Sequence, residues 1–89
     1  MENITLSELQ RLVCEELDRR NLKQTSIRKN ALIHVCDYIR ACDGSYLYEN
    51  RLRLPEDKKQ FKADYVHYKG KNLSGAENSI INEIYNQLE

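Results

Sequence analysis

The stretch at residues 5–21, TLSELQRLVCEELDRRN, carries the most complete helix signal in the chain. Thr5 and Glu8 form a T-x-x-E capping box, in which each side chain accepts a hydrogen bond from the other residue's backbone N–H. The apolar residues behind this start fall within an arc of about 140° on a helix, the width typical of a helix packed on a core. They are Leu6, Leu9, Leu12, Val13 and Leu17. The stretch predicts an amphipathic helix over residues 6–20, which Asn21 ends in the left-handed conformation.

A second amphipathic helix is predicted over residues 25–42, TSIRKNALIHVCDYIRAC. Thr25 or Ser26 is expected to be its N-cap, and the Asp-Gly dipeptide that follows is expected to end it. Its expected buried stripe consists of Ile27, Ala31, Leu32, Val35, Tyr38, Ile39 and Cys42. One further apolar residue, Ile33, projects to roughly the opposite side of this helix, where a lone monomer would prefer a polar residue.

The C-terminal stretch at residues 74–88, SGAENSIINEIYNQL, repeats the pattern of the first helix. Ser74 and Glu77 form a second capping box. The apolar stripe behind it consists of Ile80, Ile81, Ile84, Tyr85 and Leu88. This stretch predicts a last helix that runs to the end of the chain.

The middle of the chain is more ambiguous. Residues 45–54, SYLYENRLRL, suit a small hairpin, a helical turn or a loop. Pro55 suits the first position of a third helix. The two acidic residues after it would then complement the positive end of the helix dipole. Gly70 suits the end of this helix. One face of that helix is expected to carry Leu54, Phe61, Tyr65 and Tyr68. Residues 65–68, YVHY, would also serve as a strand.

Together these signals predict one domain, residues 1–89, that is all-α or α-dominant. It is expected to be a small bundle of about four helical segments, with a short β-hairpin left open within residues 45–70. The chain has three cysteines, which cannot all pair with one another, and no apolar run of the length that spans a bilayer. We therefore expect a reduced, cytoplasmic protein that does not contact a membrane.

Residues with catalytic or metal-binding chemistry lack the spacing that such sites need. The three glycines stand alone near expected helix ends and form no phosphate-binding loop. His34 and Cys36 lie two residues apart on a helix, so they point about 200° away from each other and cannot hold one ion together. We expect Cys42 in the core and Cys36 at its edge, which leaves Cys14 as the thiol farthest from the core. No enzymatic activity, metal or cofactor is expected.

The first functional hypothesis is a non-enzymatic interaction or regulatory protein. Ile33 lies among the charged residues Lys29, Asp37 and Arg40, and an exposed isoleucine in such a position is typical of a contact surface. The expected partner is another protein or a second copy of the chain. Ile33 can equally be one of the many exposed apolar residues that have no function.

The second hypothesis, from a different class, is binding of an anionic ligand. Residues 19–29 carry five basic side chains and no acidic one, although the net charge of the chain is zero. The basic residues are Arg19, Arg20, Lys23, Arg28 and Lys29. They flank the start of the second helix, where backbone N–H groups favour anions. Nucleic acid or a nucleotide is the expected ligand, with Tyr65 and Tyr68 contributing; a solvated, salt-bridged surface is the alternative.

A second basic block, in the third helix, interleaves cations with aromatic residues. Its lysines are Lys58, Lys59, Lys62, Lys69 and Lys71. Aromatic rings among cations can stack on bases or nucleotides. The same rings would also form the apolar face by which this helix joins the core, and core packing is the favoured interpretation.

Overall fold

The computed structural model describes residues 4–21, 23–49 and 51–88. Within these residues the chain forms four helices and a two-stranded antiparallel hairpin, which confirms the predicted α-dominant class and its four helical segments. In chain order the elements are α1 (Leu6–Arg20), α2 (Thr25–Ala41), β1 (Leu47–Tyr48), β2 (Arg51–Leu52), α3 (Lys58–Lys69) and α4 (Gly75–Leu88).

The helix boundaries with the clearest sequence signals are confirmed. α1 spans the predicted residues, the Thr5 hydroxyl accepts a hydrogen bond from the Glu8 backbone N–H at 3.1 Å, and Asn21 is left-handed with φ 51°. At the start of α4 the capping box is reciprocal, with Ser74 and Glu77 each accepting from the other's backbone N–H at 3.1 Å. Capping boxes are local, so they fix these two helix starts without help from the rest of the fold.

The predicted N-cap of α2 is wrong by one or two residues, and the predicted first residue of α3 is wrong by three. Gln24, in the left-handed conformation at φ 60°, is the N-cap of α2, so Thr25 is already helical and neither it nor Ser26 caps the helix. Asp57 is the N-cap of α3, since its carboxylate accepts a hydrogen bond from the Lys59 backbone N–H at 2.9 Å. The helix therefore begins at Lys58 and not at Pro55. A carboxylate at the N-cap satisfies an otherwise orphaned helix donor, which a proline cannot do.

α4 lies at the centre of the fold and packs against α1, α2 and α3. Its isoleucines Ile80, Ile81 and Ile84 are completely buried, as predicted from their spacing. Phe61 of α3 and Leu32 of α2 are completely buried as well. The three other helices therefore share one core that is built around the C-terminal helix.

The buried stripe of α2 is displaced from the predicted one. Ile27 is 52% exposed and Cys42 is only half-buried, whereas Cys36, expected at the edge, is completely buried. α1 packs on the flank of α2 that carries Cys36, as contacts from Asp18 to Lys29 and from Gln10 to Arg40 show. That packing buries Cys36, whereas Ile27, in the first turn of α2, stays exposed.

Two residues expected on the buried face of α3 lie elsewhere. Tyr68 is 59% exposed, and Leu54 precedes the helix, where it is half-buried against the core. Phe61 and Tyr65 are buried as predicted. The alternative of a strand over residues 65–68 is wrong, since these residues are helical.

The hairpin ties the middle of the chain to the start of α1. Leu47 pairs with Leu52, and the Leu52 backbone N–H donates to the Ile4 carbonyl at 2.9 Å. Thr5, the N-cap of α1, forms an antiparallel bridge with Arg51. Among the described residues, no helix combines the length and the apolar character needed to cross a bilayer.

Candidate functional site

Four residues named from the sequence share the solvent-facing side of α2, which we call the α2 outer face: Lys29, Ile33, Asp37 and Arg40. Ile33 is 46% exposed. The Lys29 ammonium contacts the Asp18 carboxylate at 2.8 Å, and Arg40 contacts Asp37 at 3.3 Å. The structure thus brings together an exposed isoleucine and charges of both signs, as the helical spacing predicted.

The basic residues of the 19–29 block are mostly paired with neighbouring groups. Arg19 and Arg20 both bond the Glu16 carboxylate, and Arg20 also contacts Glu83 of α4 at 2.9 Å. Hydrogen bonds from the two arginines lower the pKa of Glu16 despite some desolvation. Part of the positive charge that would bind an anionic ligand is therefore already neutralised by carboxylates of the chain itself.

The remaining cations of this block have different environments. Arg28 donates to the Ser79 hydroxyl of α4 at 3.1 Å, and Lys29 is paired with Asp18. Lys23 is exposed. No hydrogen bond, ion pair or ring contact in the described part of the chain joins any of the five cations to Tyr65 or Tyr68, which face Tyr38 instead.

Tyr65 belongs to a partly buried polar group that we call the Glu77 cluster: Tyr65, Lys69, Ser74 and Glu77. The Glu77 carboxylate, only 8% exposed, accepts from the Tyr65 hydroxyl, the Lys69 ammonium and the Ser74 backbone N–H. Burial alone would raise the pKa of Glu77, but the hydrogen bonds from Lys69, Tyr65 and Ser74 outweigh it and lower the pKa to about 2. Burial also raises the pKa of Tyr65. This cluster joins the end of α3 to the start of α4.

Acid is expected to weaken the fold through the Glu77 cluster. The folded-state pKa of about 2 lies below the ordinary value of 4.5, so the unfolded chain binds this proton more readily. The contribution of Glu77 is complete above pH 4.5 and is lost as the pH falls toward about 2. Urea unfolding measured across this range should show the loss, with a shallower pH dependence in Glu77→Gln. Equal slopes in the two proteins would contradict it.

Two more of the tyrosines belong to a second hydrogen-bonded group. The Tyr38 and Tyr46 hydroxyls lie 2.9 Å apart, and the Tyr46 hydroxyl donates to the Asp64 carboxylate at 2.9 Å. The rings of Tyr38 and Tyr46 also pack on Phe61. Tyr46 is buried because the segment that carries it packs against Tyr38 of α2 and Phe61 of α3. The local sequence does not indicate this packing.

A cleft lies between α2 and the C-terminal end of α3, and we call it the Tyr68 cleft. Its volume is about 420 Å³. It is lined by His34, Asp37, Tyr38, Tyr65, Tyr68, Lys69, Lys71 and Glu77. The exposed Tyr68 ring packs on Tyr38 with centroids 4.8 Å apart and planes tilted by 48°. Sequence reasoning placed Tyr68, Lys69 and Lys71 in one basic, aromatic block but considered His34 only as a metal ligand.

The thiols and the metal candidates are separated by the fold. Burial raises the pKa of Cys36 to about 11, while Cys14 and Cys42 are both half-buried. Cys14 is therefore no more exposed in class than Cys42, and the structure does not single it out as the thiol farthest from the core. No group of three or more His, Cys, Asp or Glu side chains in the described ranges is placed to hold a metal ion.

Comparison with known protein families, curated proteins and solved structures finds no match to this chain. Its function is therefore argued from the α2 outer face and the Tyr68 cleft alone.

Proposed function

We propose that this protein is a small, non-enzymatic interaction module that pairs with a second copy of itself through the α2 outer face. The observation that carries the proposal is the order of residues along this face. Ile33 is exposed at its centre, Lys29 lies four residues before it and Asp37 four residues after it. Lys29 and Asp37 are therefore complementary in charge about Ile33, and Arg40 lies beyond Asp37 on the same face.

A two-fold axis through Ile33 would use this complementarity. Lys29 and Asp37 each lie about 6 Å from Ile33 along the helix axis, in opposite directions. In an antiparallel crossing of two α2 helices, Ile33 packs on the partner's Ile33, Lys29 approaches the partner's Asp37, and Asp37 approaches the partner's Lys29. Interfaces of this kind, in which one patch meets itself, are the commonest in homodimers, and rows of residues four apart are the ridges that pack in helix crossings.

The ion pairs within one chain do not prevent this exchange. Lys29 with Asp18 and Asp37 with Arg40 are pairs between exposed side chains. Such pairs contribute only ~0–1 kcal/mol each, so their rearrangement costs little. Because a single helix face buries a small area, the dimer is expected to be transient and to form only at high protein concentration.

An aspartate at position 33 is expected to abolish the dimer. Ile33→Asp places a charge at the apolar centre, so light scattering and sedimentation should show a monomer where the unmodified protein shows a concentration-dependent dimer. Ile27→Asp is the matched control, because Ile27 is equally exposed on the same helix but lies about 120° from Ile33 around its axis. A strictly monomeric unmodified protein, or equal effects of the two variants, would refute the proposal.

Charge reversal tests the pairing geometry itself. Lys29→Glu and Asp37→Lys each place like charges across the two-fold axis, so each should weaken the dimer, while the double variant should restore it. Thermal unfolding of each variant controls for a change in the monomer. A double variant as weak as the single ones would rule out the antiparallel arrangement.

A further inference from the structure

We propose that the Tyr68 cleft binds a small aromatic anion of the nucleoside monophosphate class. The cleft shares Asp37 with the α2 outer face, but the proposal does not depend on self-association. It rests on a ring platform, on an ammonium and an imidazole that have no side-chain partner within the described chain, and on the size of the cleft.

The platform is the ring of Tyr68. It is 59% exposed, yet it is held in place from behind by the ring of Tyr38, which is buried. A ring held in this way offers a planar surface at little cost in side-chain entropy, and stacking on it suits any nucleobase. Tyr65, by contrast, is buried and its hydroxyl is committed to Glu77, so it forms the floor of the cleft.

Of the charged side chains that line the cleft in the described part of the chain, all but that of Lys71 are paired. Lys69 is neutralised by Glu77 and also lies 5.3 Å from the centroid of the Tyr65 ring, and Asp37 is paired with Arg40. Among the described residues that line the cleft, Lys71 and His34 have neither a hydrogen bond nor an ion pair. An ammonium and an imidazole at the rim, beside an exposed ring, together suit a phosphate joined to an aromatic base.

The same features favour a free nucleotide over a nucleic acid strand. A volume of about 420 Å³ lies in the range of small-molecule sites. A strand would need a continuous cationic track, but Arg19, Arg20 and Lys29 of the 19–29 block are already paired with acidic residues of the chain. The lining also carries the carboxylates of Asp37 and Glu77, but these are paired with Arg40 and Lys69.

Calorimetry and NMR titration of the full chain with adenosine monophosphate test the proposal. Binding should require both parts of the ligand, so adenosine alone and inorganic phosphate alone should each bind at least about tenfold more weakly. Shifted NMR signals should be centred on Tyr68, Lys71 and His34. No binding of the monophosphate at millimolar concentration would overturn the proposal, and so would binding of a single-stranded oligonucleotide without binding of the monophosphate.

Two variants with matched controls locate the site. Tyr68→Ala should weaken binding by about tenfold through loss of stacking, whereas Tyr48→Ala, which removes an equally exposed ring on β1, should not change it. Lys71→Ala should weaken binding by about tenfold, whereas Arg11→Ala, which removes an exposed cation of α1 outside the cleft, should not. Equal effects of a variant and its control would place the ligand elsewhere and refute the assignment.

Discussion

Replacement of Phe61 by alanine is expected to lower the free energy of unfolding by about 3–5 kcal/mol. Phe61 is completely buried on α3, and its ring contacts those of Tyr38, Tyr46 and Tyr85 at centroid distances of 5.4–6.1 Å. Its loss removes one of the largest apolar side chains from the core and leaves a cavity where α2, the hairpin, α3 and α4 meet. A domain of this size has a total stability of about 4–13 kcal/mol, so the variant should lose a substantial fraction of it.

Urea unfolding followed by circular dichroism measures this loss. Phe61→Leu should cost less than Phe61→Ala, because a leucine refills part of the cavity. Lys59→Ala, at an exposed position of the same helix, should change the stability by no more than ~0.5 kcal/mol. If Phe61→Ala resembled Lys59→Ala, the aromatic cluster would not be the core that the structure describes.

The parts of the fold that could be predicted from sequence are those determined by neighbours along the chain. Thr5 with Glu8 and Ser74 with Glu77 are separated by a single helical turn, so the starts of α1 and α4 follow from local hydrogen bonding. The start of α2 could not be predicted in the same way. Gln24 adopts a left-handed conformation that glutamine rarely favours, and nothing in its side chain indicates this.

Packing between elements accounts for the errors within helices. Cys36 lies at one edge of the apolar stripe of α2 and is buried by α1, whereas Ile27 lies in the first turn of the helix and is exposed. Helical periodicity defines a face but not its exact centre. A stripe read from one helix alone therefore cannot decide between the two residues.

The two candidate sites also differ in whether their residues lie on one helix or are brought together by packing between helices. The α2 outer face could be assembled from sequence because its four residues lie on one helix. The Tyr68 cleft could not, because His34 of α2 meets Tyr68 and Lys71 only through the packing of α2 against α3. Part of the charge of the 19–29 block is likewise balanced from outside, by Glu83 of α4, which is distant in sequence.

Removal of the Glu77 side chain is expected to be nearly as costly as loss of Phe61, at about 2–4 kcal/mol for Glu77→Ala. The carboxylate accepts hydrogen bonds from the Tyr65 hydroxyl, the Lys69 ammonium and the Ser74 backbone N–H. Without it, three donors at the junction of α3 and α4 lose their acceptor in a mostly buried place, and the Lys69 charge loses its partner. Glu56→Ala, an exposed acid just before α3, is the matched control and should cost no more than ~0.5 kcal/mol.

A double-mutant cycle with Lys69→Met separates the ion pair from the other bonds of Glu77. Lys69→Met removes the ammonium but leaves the carboxylate with Tyr65 and Ser74, so it should cost less than Glu77→Ala, and the two losses should not add. Glu77→Gln keeps an oxygen that can accept from Ser74, so its stability should lie between those of Glu77→Ala and the unmodified protein. Additive losses would show that Lys69 and Glu77 act independently. The ion pair would then add nothing to the stability that Glu77 provides through its other hydrogen bonds. The ammonium of Lys69 would be available to a ligand in the Tyr68 cleft.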